Sequence, residues 1–231
     1  DRPEPLGLLP DARWHDERAG ESSPASREIE TGETRPGDLK LSQAVRLSSF
    51  WKLLAVWCTT SMVGTGLIFH QVSLLAVHDV ARNDALLLLG LQAVVATFSG
   101  VLAGFLTDMG YERYLLAAAM VFLSSGVGLM IWMPSPGWAL VYAGALGLQG
   151  GIIRTAGTAV WINYYGRSHQ GAIRGAAMAA AVVAAACGPL PLAISADSTG
   201  SYSVALSVFG ILPLLAGVVV VSARRPGTGS A

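Results

Sequence analysis

Long, uninterrupted apolar runs dominate the chain from about residue 50 onward. About 20 apolar residues in a helix are needed to cross roughly 30 Å of hydrocarbon, and these runs reach that length. Their hydrophobicity is continuous rather than alternating, which argues against the strands of a membrane β-barrel. The pattern therefore predicts an all-α, polytopic membrane protein with six transmembrane helices, at 50–76, 86–107, 114–133, 138–163, 175–196 and 202–223.

Proline and glycine divide or bend two of these runs. The uncharged run from Tyr114 to Ile153 is too long for one crossing, and the turn-forming segment 134–137 (PSPG) splits it into the third and fourth spans. Pro189 and Pro191 are expected to kink the fifth span, because proline cannot donate the backbone hydrogen bond that continues a helix.

The first 48 residues have a different character. Residues 1–40 are rich in Pro, Gly, Ser, Glu and Arg and predict a solvated linker, because they cannot bury enough apolar area to offset their ordering entropy. Asp38 is expected to cap a short amphipathic helix that lies along the membrane surface. Its apolar positions are Leu39, Leu41, Ala44, Val45 and Leu47. The expected organisation is a cytoplasmic linker at 1–48, a six-helix domain at 49–223 and a cytoplasmic tail at 224–231.

Composition supports a membrane protein and argues against several soluble classes. Of the 231 residues, 52% are hydrophobic and 13% are charged, whereas soluble domains carry about 25% charged residues. The 15 basic and 15 acidic side chains give no net charge, which argues against a nucleic-acid-binding protein. The two cysteines lie in apolar runs, so neither a disulfide framework nor a metal site is expected. No cofactor is expected.

The distribution of basic residues predicts the orientation. Six spans place both termini on one side, and the loops on that side hold most of the lysines and arginines close to the membrane. These are Arg46, Lys52, Arg113, Arg167, Arg174, Arg224 and Arg225, against Arg82 alone on the other side. By the positive-inside rule both termini are expected to be cytoplasmic, in a plasma (inner) membrane.

The loop after the second span carries a family resemblance. The segment GFLTDMGYER, residues 104–113, resembles the signature loop of the major facilitator superfamily, in which Gly104, Leu106, Asp108 and Arg113 match the pattern. Met109 replaces a usual base, Gly110 sits one place early and Glu112 is atypical. These departures resemble the weaker copy of the loop in the C-terminal half of such transporters.

Four further segments agree with the resemblance. PEPLGLLPDA (3–12) and QAVRLSSFWKL (43–53) resemble the central loop and the entry to the seventh helix. YYGRSHQGAIRG (164–175) and GPLPLAISADSTGSY (188–202) resemble the oxalate/formate-antiporter and monocarboxylate-porter-like branch. The resemblance implies that the six spans are helices seven to twelve, that the N-terminal six-helix half is a missing partner, and that Gly104, Asp108 and Arg113 form a conformational loop.

Arg154 is the sharpest chemical feature of the sequence. A charge inside a span costs about 2.5–3.5 kcal/mol on insertion scales, so Arg154 is expected to face a cavity or a partner. Its helical face is rich in glycine and includes Thr158, and a guanidinium can hold a carboxylate through two hydrogen bonds. The alternatives are contacts with backbone carbonyls, a carboxylate in the missing half, or a side chain that reaches the interface.

His70 and Gln92 are the other candidates for a substrate cavity. His70 could bond substrate or carry a proton, and alternatively it is bonded within the bundle. Gln92 is the strongly polar side chain of the second span, where a hydrogen bond between helices is the competing role. The spans contain no Asp or Glu. A proton carrier would therefore be His70 or a carboxylate of the missing half.

Two functions remain open from the sequence. The first is a transporter half, symporter or antiporter, that moves a small organic anion of the monocarboxylate kind by alternating access. The alternative is a truncated or non-transporting membrane module whose cytoplasmic segment binds a partner. An enzyme is not expected, because the Gly-x-Ser-Gly motif of rhomboid proteases is missing. The expected partners are the lipid bilayer, the missing half and a small-molecule substrate, and no nucleic acid.

Overall fold

A computed structural model describes residues 39–223 and residue 225, and all regular structure in this range is helical. The helices are α1 (Leu41–Ala44), α2 (Ser48–Ala76), α3 (Arg82–Asp108), α4 (Glu112–Ile131), α5 (Ala139–Tyr165), α6 (Gln170–Cys187), α7 (Pro189–Thr199) and α8 (Ser203–Val221), with a 3₁₀ turn at Pro136–Trp138. Most of the predicted linker and of the tail, and with them the partner-binding segment of the alternative function, lie outside the described residues.

Five stretches are long and apolar enough to cross a membrane, which indicates an integral membrane protein. They are α2, α3, α4, the continuous stretch Gln170–Thr199 and α8. Helix α5 has 27 residues, about 40 Å at 1.5 Å per residue, but it is not among them. Gln149, Arg154 and its glycines lower its hydropathy. The predicted spans coincide with the long helices to within a few residues, except that the fifth begins earlier, at Gln170.

Hydrogen bonds identify the two ends of the bundle. At one end, which we call the terminal end, the start of α2 lies beside the ends of α5 and α8. The bonds are Leu39 N–H to Tyr165 O (3.1 Å), Lys52 Nζ to Ser222 O (3.2 Å) and Tyr164 OH to Ala223 O (3.3 Å). At the opposite end, Gln71 Nε2 donates to Ala85 O (3.0 Å) and His78 Nε2 to Met130 O (3.0 Å). Consecutive long helices therefore run in alternate directions.

Glycines bring α3 and α5 into close contact. A Cβ atom on Gly147 would lie 2.6 Å from Val95 Cβ, and one on Gly151 would lie 2.7 Å from Gly100 N and also meet Ser99 Oγ. Small residues let helix backbones approach in this way. Gly147 and Gly151 are therefore positions of tight helix packing.

The expected kink in the fifth span is a local break in the helical hydrogen bonding at Gly188, whose backbone stays in the helical region (φ −58°, ψ −47°). Helix α6 ends at Cys187 and α7 begins at Pro189, which has no N–H to continue the ladder. Gly188 instead donates to Ala185 O at 3.1 Å. It also packs against α2, where a Cβ on Gly188 would lie 3.1 Å from Gly66 N.

The short helix before α2 differs from its prediction. Helix α1 is a single turn that begins at Leu41 after Lys40, and the predicted cap Asp38 lies outside the described residues. Ala44 is fully buried, and Leu39, Leu41, Val45 and Leu47 pack against the core. The apolar side chains of the segment therefore pack on the bundle.

The α3–α5 contact makes the first prediction. Gly151→Ala should destabilise the fold by about 1–3 kcal/mol, because the added methyl overpacks a closed contact. Gly144→Ala, on the same helix, is the matched control, since a Cβ there meets nothing within 4 Å. Thermal unfolding in detergent measures both variants, and equal melting temperatures would contradict the close contact.

Candidate functional site

A groove of about 450 Å³ lies between α2, α3 and α5. Most of the residues that line it are apolar or small. Five are polar: Thr60, Thr65, Gln92, Gln149 and Arg154. Both α2 and α5 contribute from the middle of their length, so the groove lies between the two ends of the bundle. A smaller cavity of about 350 Å³ between α3 and α5 shares Ala96 and Arg154 with it.

The groove exists because α2 and α5 do not pack closely. Helix α2 packs chiefly against α6, and α5 packs chiefly against α3 and α4. Two glycines also line the gap. A Cβ on Gly64 would meet nothing within 4 Å, and one on Gly150 would meet only Ala96 Cβ at 3.9 Å. These glycines leave open space, in contrast to Gly147 and Gly151.

Arg154 lies where the groove and the smaller cavity meet, with an exposed side chain. No ion pair or side-chain hydrogen bond of its guanidinium occurs within residues 39–223 and 225. The acidic residues of this range lie at or near helix ends, away from the middle of α5. The guanidinium therefore presents its donors to the groove with no anionic partner from this part of the chain.

Gln149 is a groove residue that the sequence analysis missed. Its side chain is 7% exposed, and its Nε2 atom has no hydrogen-bond partner among the described residues. Thr60 Oγ1, across the groove on α2, has none either. An unsatisfied buried polar group costs about 1–3 kcal/mol, so such groups are rare in folded proteins. The groove therefore has two polar groups, on facing helices, without a hydrogen-bond partner among the described residues.

Gln92 lies in the groove and also bonds another helix. It lines the groove, and its Nε2 donates to Gln71 Oε1 on α2 at 3.1 Å. Gln71 is 1% exposed and also accepts from Tyr142 OH on α5 at 3.5 Å. This network joins α2, α3 and α5 beside the groove, so the hydrogen bond between helices is confirmed.

Two predicted cavity residues lie outside the groove. Thr158 is one turn beyond Arg154, and its hydroxyl donates to Arg154 O on its own helix at 2.7 Å. His70 faces the other side of α2, where Nε2 lies 3.3 Å from Pro189 O and the ring lies 5.8 Å from that of Tyr202. The structure thus places His70 at the break between α6 and α7, as a histidine bonded within the bundle.

The predicted conformational loop is shorter than expected. Gly104 and Asp108 belong to α3 and Arg113 belongs to α4, which leaves only residues 109–111 between the helices. Gly110 has φ +84°, its N–H bonds Thr107 O and the next N–H bonds Leu106 O. These are the two bonds of a Schellman motif, which favours glycine at this position. The early position of Gly110 in the motif thus has a local structural cause.

Asp108 and Arg113 make no ion pair with each other. Asp108 is exposed at the end of α3, while Arg113 stacks on the ring of Tyr114, with 4.7 Å from its guanidinium carbon to the ring centroid. A Cβ on Gly104 would lie 3.8 Å from Thr155 Cγ2 of α5. Gly104 therefore packs against the helix that carries Arg154.

The charge contact of this region uses Glu112 instead. Glu112 is 2% exposed, and its Oε1 accepts from Arg225 Nη2 at 2.6 Å and from Asn163 Nδ2 at 2.5 Å. The pair joins α4, α5 and the segment after α8. The sequence did not predict this pair, because the two charges are 113 residues apart. It showed only that Glu112 is an atypical acid in the motif.

The Glu112–Arg225 pair makes the second prediction. Arg225→Gln should destabilise the fold more than Glu112→Gln, because it leaves a buried carboxylate without its cation. The expected loss is about 1–3 kcal/mol for Arg225→Gln, and the double variant should resemble Glu112→Gln alone. Arg113→Gln is the control and should change little. Thermal unfolding measures all four, and equal effects of the two single variants would refute the buried pair.

Comparison with known proteins adds no relative. A scan against models of known protein families finds no match, and a search of curated proteins finds none either. The resemblance to the major facilitator superfamily therefore rests on the sequence segments quoted above, and the description of the site rests on its geometry.

Proposed function

We propose that this chain is one six-helix half of a membrane transporter of the major facilitator type, and that it moves a small organic anion of the monocarboxylate kind. The observation that carries the proposal is Arg154. Its guanidinium lines a groove between α2, α3 and α5 and has no acidic partner among the described residues.

The energetics of a charge in a membrane support an anionic ligand. An arginine near the middle of a span costs about 2.5–3.5 kcal/mol on insertion scales, and charges of this kind mark substrate pathways. A carboxylate would supply the missing negative charge through charge-assisted hydrogen bonds. The groove volume of about 450 Å³ is within the range of about 300–1,000 Å³ of small-molecule sites.

The proposal includes a sixth span and an orientation. Helix α5 would cross with the five more apolar stretches, since Gly147 and Gly151 face α3 and Gln149, Gly150 and Arg154 line the groove. The basic residues gather at the terminal end. They are Lys40, Arg46, Lys52, Arg113, Arg167, Arg174 and Arg225, whereas Arg82 lies at the opposite end. The positive-inside rule then makes the terminal end cytoplasmic, in a plasma (inner) membrane.

Transport also needs a second helical domain. Only α2, α3 and α5 line the groove, which leaves it open on the remaining side. In transporters built from two halves, substrate is held between them near the bilayer midplane, and one half rocks against the other. The proposed partner is therefore an N-terminal six-helix half, from the same or a separate polypeptide.

The third prediction concerns Arg154 in the intact polypeptide in its own membranes. Arg154→Gln should lower uptake of labelled acetate, pyruvate or oxalate by about tenfold or more, because a hydrogen bond to a charged group contributes about 1.5–3 kcal/mol. Arg154→Lys should keep part of the activity, since lysine retains the positive charge but lacks the planar guanidinium that can donate two parallel hydrogen bonds.

The control for Arg154 is Arg82→Gln, which removes an exposed arginine at the opposite end of the bundle. It should leave uptake unchanged. The amount of protein in the membrane is measured for each variant. Unchanged uptake in Arg154→Gln at normal protein levels would remove the proposed role of this residue.

The fourth prediction tests the orientation by cysteine labelling. Met109→Cys at the α3–α4 turn should react only with reagents that reach the cytoplasm, and Ser135→Cys between α4 and α5 only from outside. Met109 is a better probe than Gly110, whose φ of +84° disfavours any other residue. The native Cys58 and Cys187 are first replaced by alanine. The reverse labelling pattern would overturn the orientation.

A further inference from the structure

Buried polar atoms without a partner collect along the seam between α2 and α5. Among the described residues, six buried side-chain nitrogen or oxygen atoms have no hydrogen-bond partner, and four of them belong to these two helices. They are Trp57 Nε1, Thr60 Oγ1, Gln149 Nε2 and Trp161 Nε1. Thr60 and Gln149 line the groove, whereas the two indole nitrogens lie beyond it, towards the terminal end.

The two indoles meet where the groove closes. The rings of Trp57 and Trp161 lie 6.1 Å apart at 74°, and Trp161 is fully buried. A Cβ on Gly157 would lie 3.4 Å from Trp57 Nε1, so this buried nitrogen lies against α5 at a glycine. Trp57 is one turn from Thr60, and Gly157 is one turn from Arg154. The indole nitrogens therefore continue the polar line of the groove.

The chemistry of these groups favours an anion. An indole N–H can donate but cannot accept, and the same holds for an amide NH₂ group and a guanidinium. The seam thus offers donors from Arg154, Gln149, Trp57 and Trp161 along one path, and no carboxylate among the described residues lines it. A cation would find no negative partner there, while a carboxylate would satisfy donors that are now unsatisfied.

We propose that the indole N–H groups of Trp57 and Trp161 form a second carboxylate-binding subsite, on the terminal-end side of the Arg154 groove. The proposal rests on the proposed function, since it takes the same class of substrate. The two indoles, packed edge to face, close the seam in the present structure. When α2 and α5 separate, the carboxylate that leaves Arg154 meets the two N–H donors on its way to the terminal end.

The arrangement of neighbours determines which indole moves. Trp161 is stacked on Tyr165 at 5.9 Å and packed against Phe50 at 5.7 Å. These contacts hold its ring in place. Trp57 is only partly buried and faces Gly157. Rotation of Trp57 away from Gly157 therefore opens the seam with less disruption than any movement of Trp161.

The fifth prediction tests the subsite by NMR on the whole 231-residue chain in nanodiscs, labelled with ¹⁵N at tryptophan and arginine. Titration with sodium acetate should shift the indole N–H signals of Trp57 and Trp161, together with the Nε–H signal of Arg154. Trp132 and Trp138, which are exposed near the opposite end, are internal controls and should not shift. Acetamide, which has the same size but no charge, should shift none of them. Single Trp→Phe and Arg154→Gln variants assign the signals.

Two variants test the donor at position 57 separately from the ring. Trp57→Phe removes the N–H, and Gly157→Ala places a methyl group 3.4 Å from the indole nitrogen, where a bound carboxylate would have to lie. Each should weaken acetate binding by roughly tenfold, the effect expected for one hydrogen bond to a charged group. Trp132→Phe and Gly144→Ala are the matched controls and should leave the affinity unchanged. A Cβ on Gly144 contacts nothing within 4 Å.

The outcomes separate this proposal from the proposed function. Shifts of Arg154 without shifts of Trp57 and Trp161 would overturn the second subsite and leave the Arg154 site standing. Shifts of the two indoles that persist in Arg154→Gln would support the subsite and contradict the role of Arg154. If no signal moves at any acetate concentration, both proposals fail. If acetate and acetamide shift the indoles equally, the donors bind neutral molecules or water, and the subsite for an anion is wrong.

Discussion

The close contact between α3 and α5 determines where the polar side chains of this protein lie. Because positions 147 and 151 carry no side chain, the two backbones approach until α3 occupies the space that a Cβ would fill. That contact fixes the rotation of α5 about its axis. Arg154 continues the glycine stripe at the next turn, and Gln149 and Gly150 are turned towards α2. A larger residue at either glycine would move all of these groups at once.

The gap between α2 and α5 follows from that contact, because α5 packs against α3 instead of α2. Each of the two helices has its main partner elsewhere, α2 in α6 and α5 in α3 and α4, so the seam between them is filled by side chains rather than by closely packed backbone. At the opposite end, Tyr142 OH of α5 bridges it by donating to Gln71 Oε1 of α2. At the terminal end, the hydrogen bond between Ser49 Oγ and Tyr165 OH and the aromatic rings of Trp57 and Trp161 bridge it. Between these two bridges lies the groove.

Hydropathy alone predicted the helices well, because a long run of apolar residues forms a membrane-spanning helix whichever neighbours it packs against. The residues of the site were harder to predict. The sequence marks Arg154, since a charge in an apolar run is conspicuous, but it cannot show which neighbours share the groove. Gln149 was missed because its orientation depends on the α3 contact. His70 is equally polar in sequence, yet it faces the break at Gly188. Glu112 finds its partner 113 residues away, a pairing that no local pattern reveals.

The distribution of satisfied and unsatisfied polar groups indicates which contacts resist motion. At both ends of the bundle, buried polar side chains such as Gln71 and Glu112 have short hydrogen bonds to other helices, so separating those helices there would leave donors and acceptors unpaired. In the middle of the α2–α5 seam the opposite holds. Four buried polar atoms there already lack partners, and water or a carboxylate that entered the seam would give them hydrogen bonds. Two packed helix pairs, α3 with α5 and α2 with α6, meet along this seam, and its buried hydrogen bonds lie at its two ends, from Tyr142 to Gln71 and between Ser49 and Tyr165. Under the proposed function, a bound anion would contact the middle of the seam at Arg154.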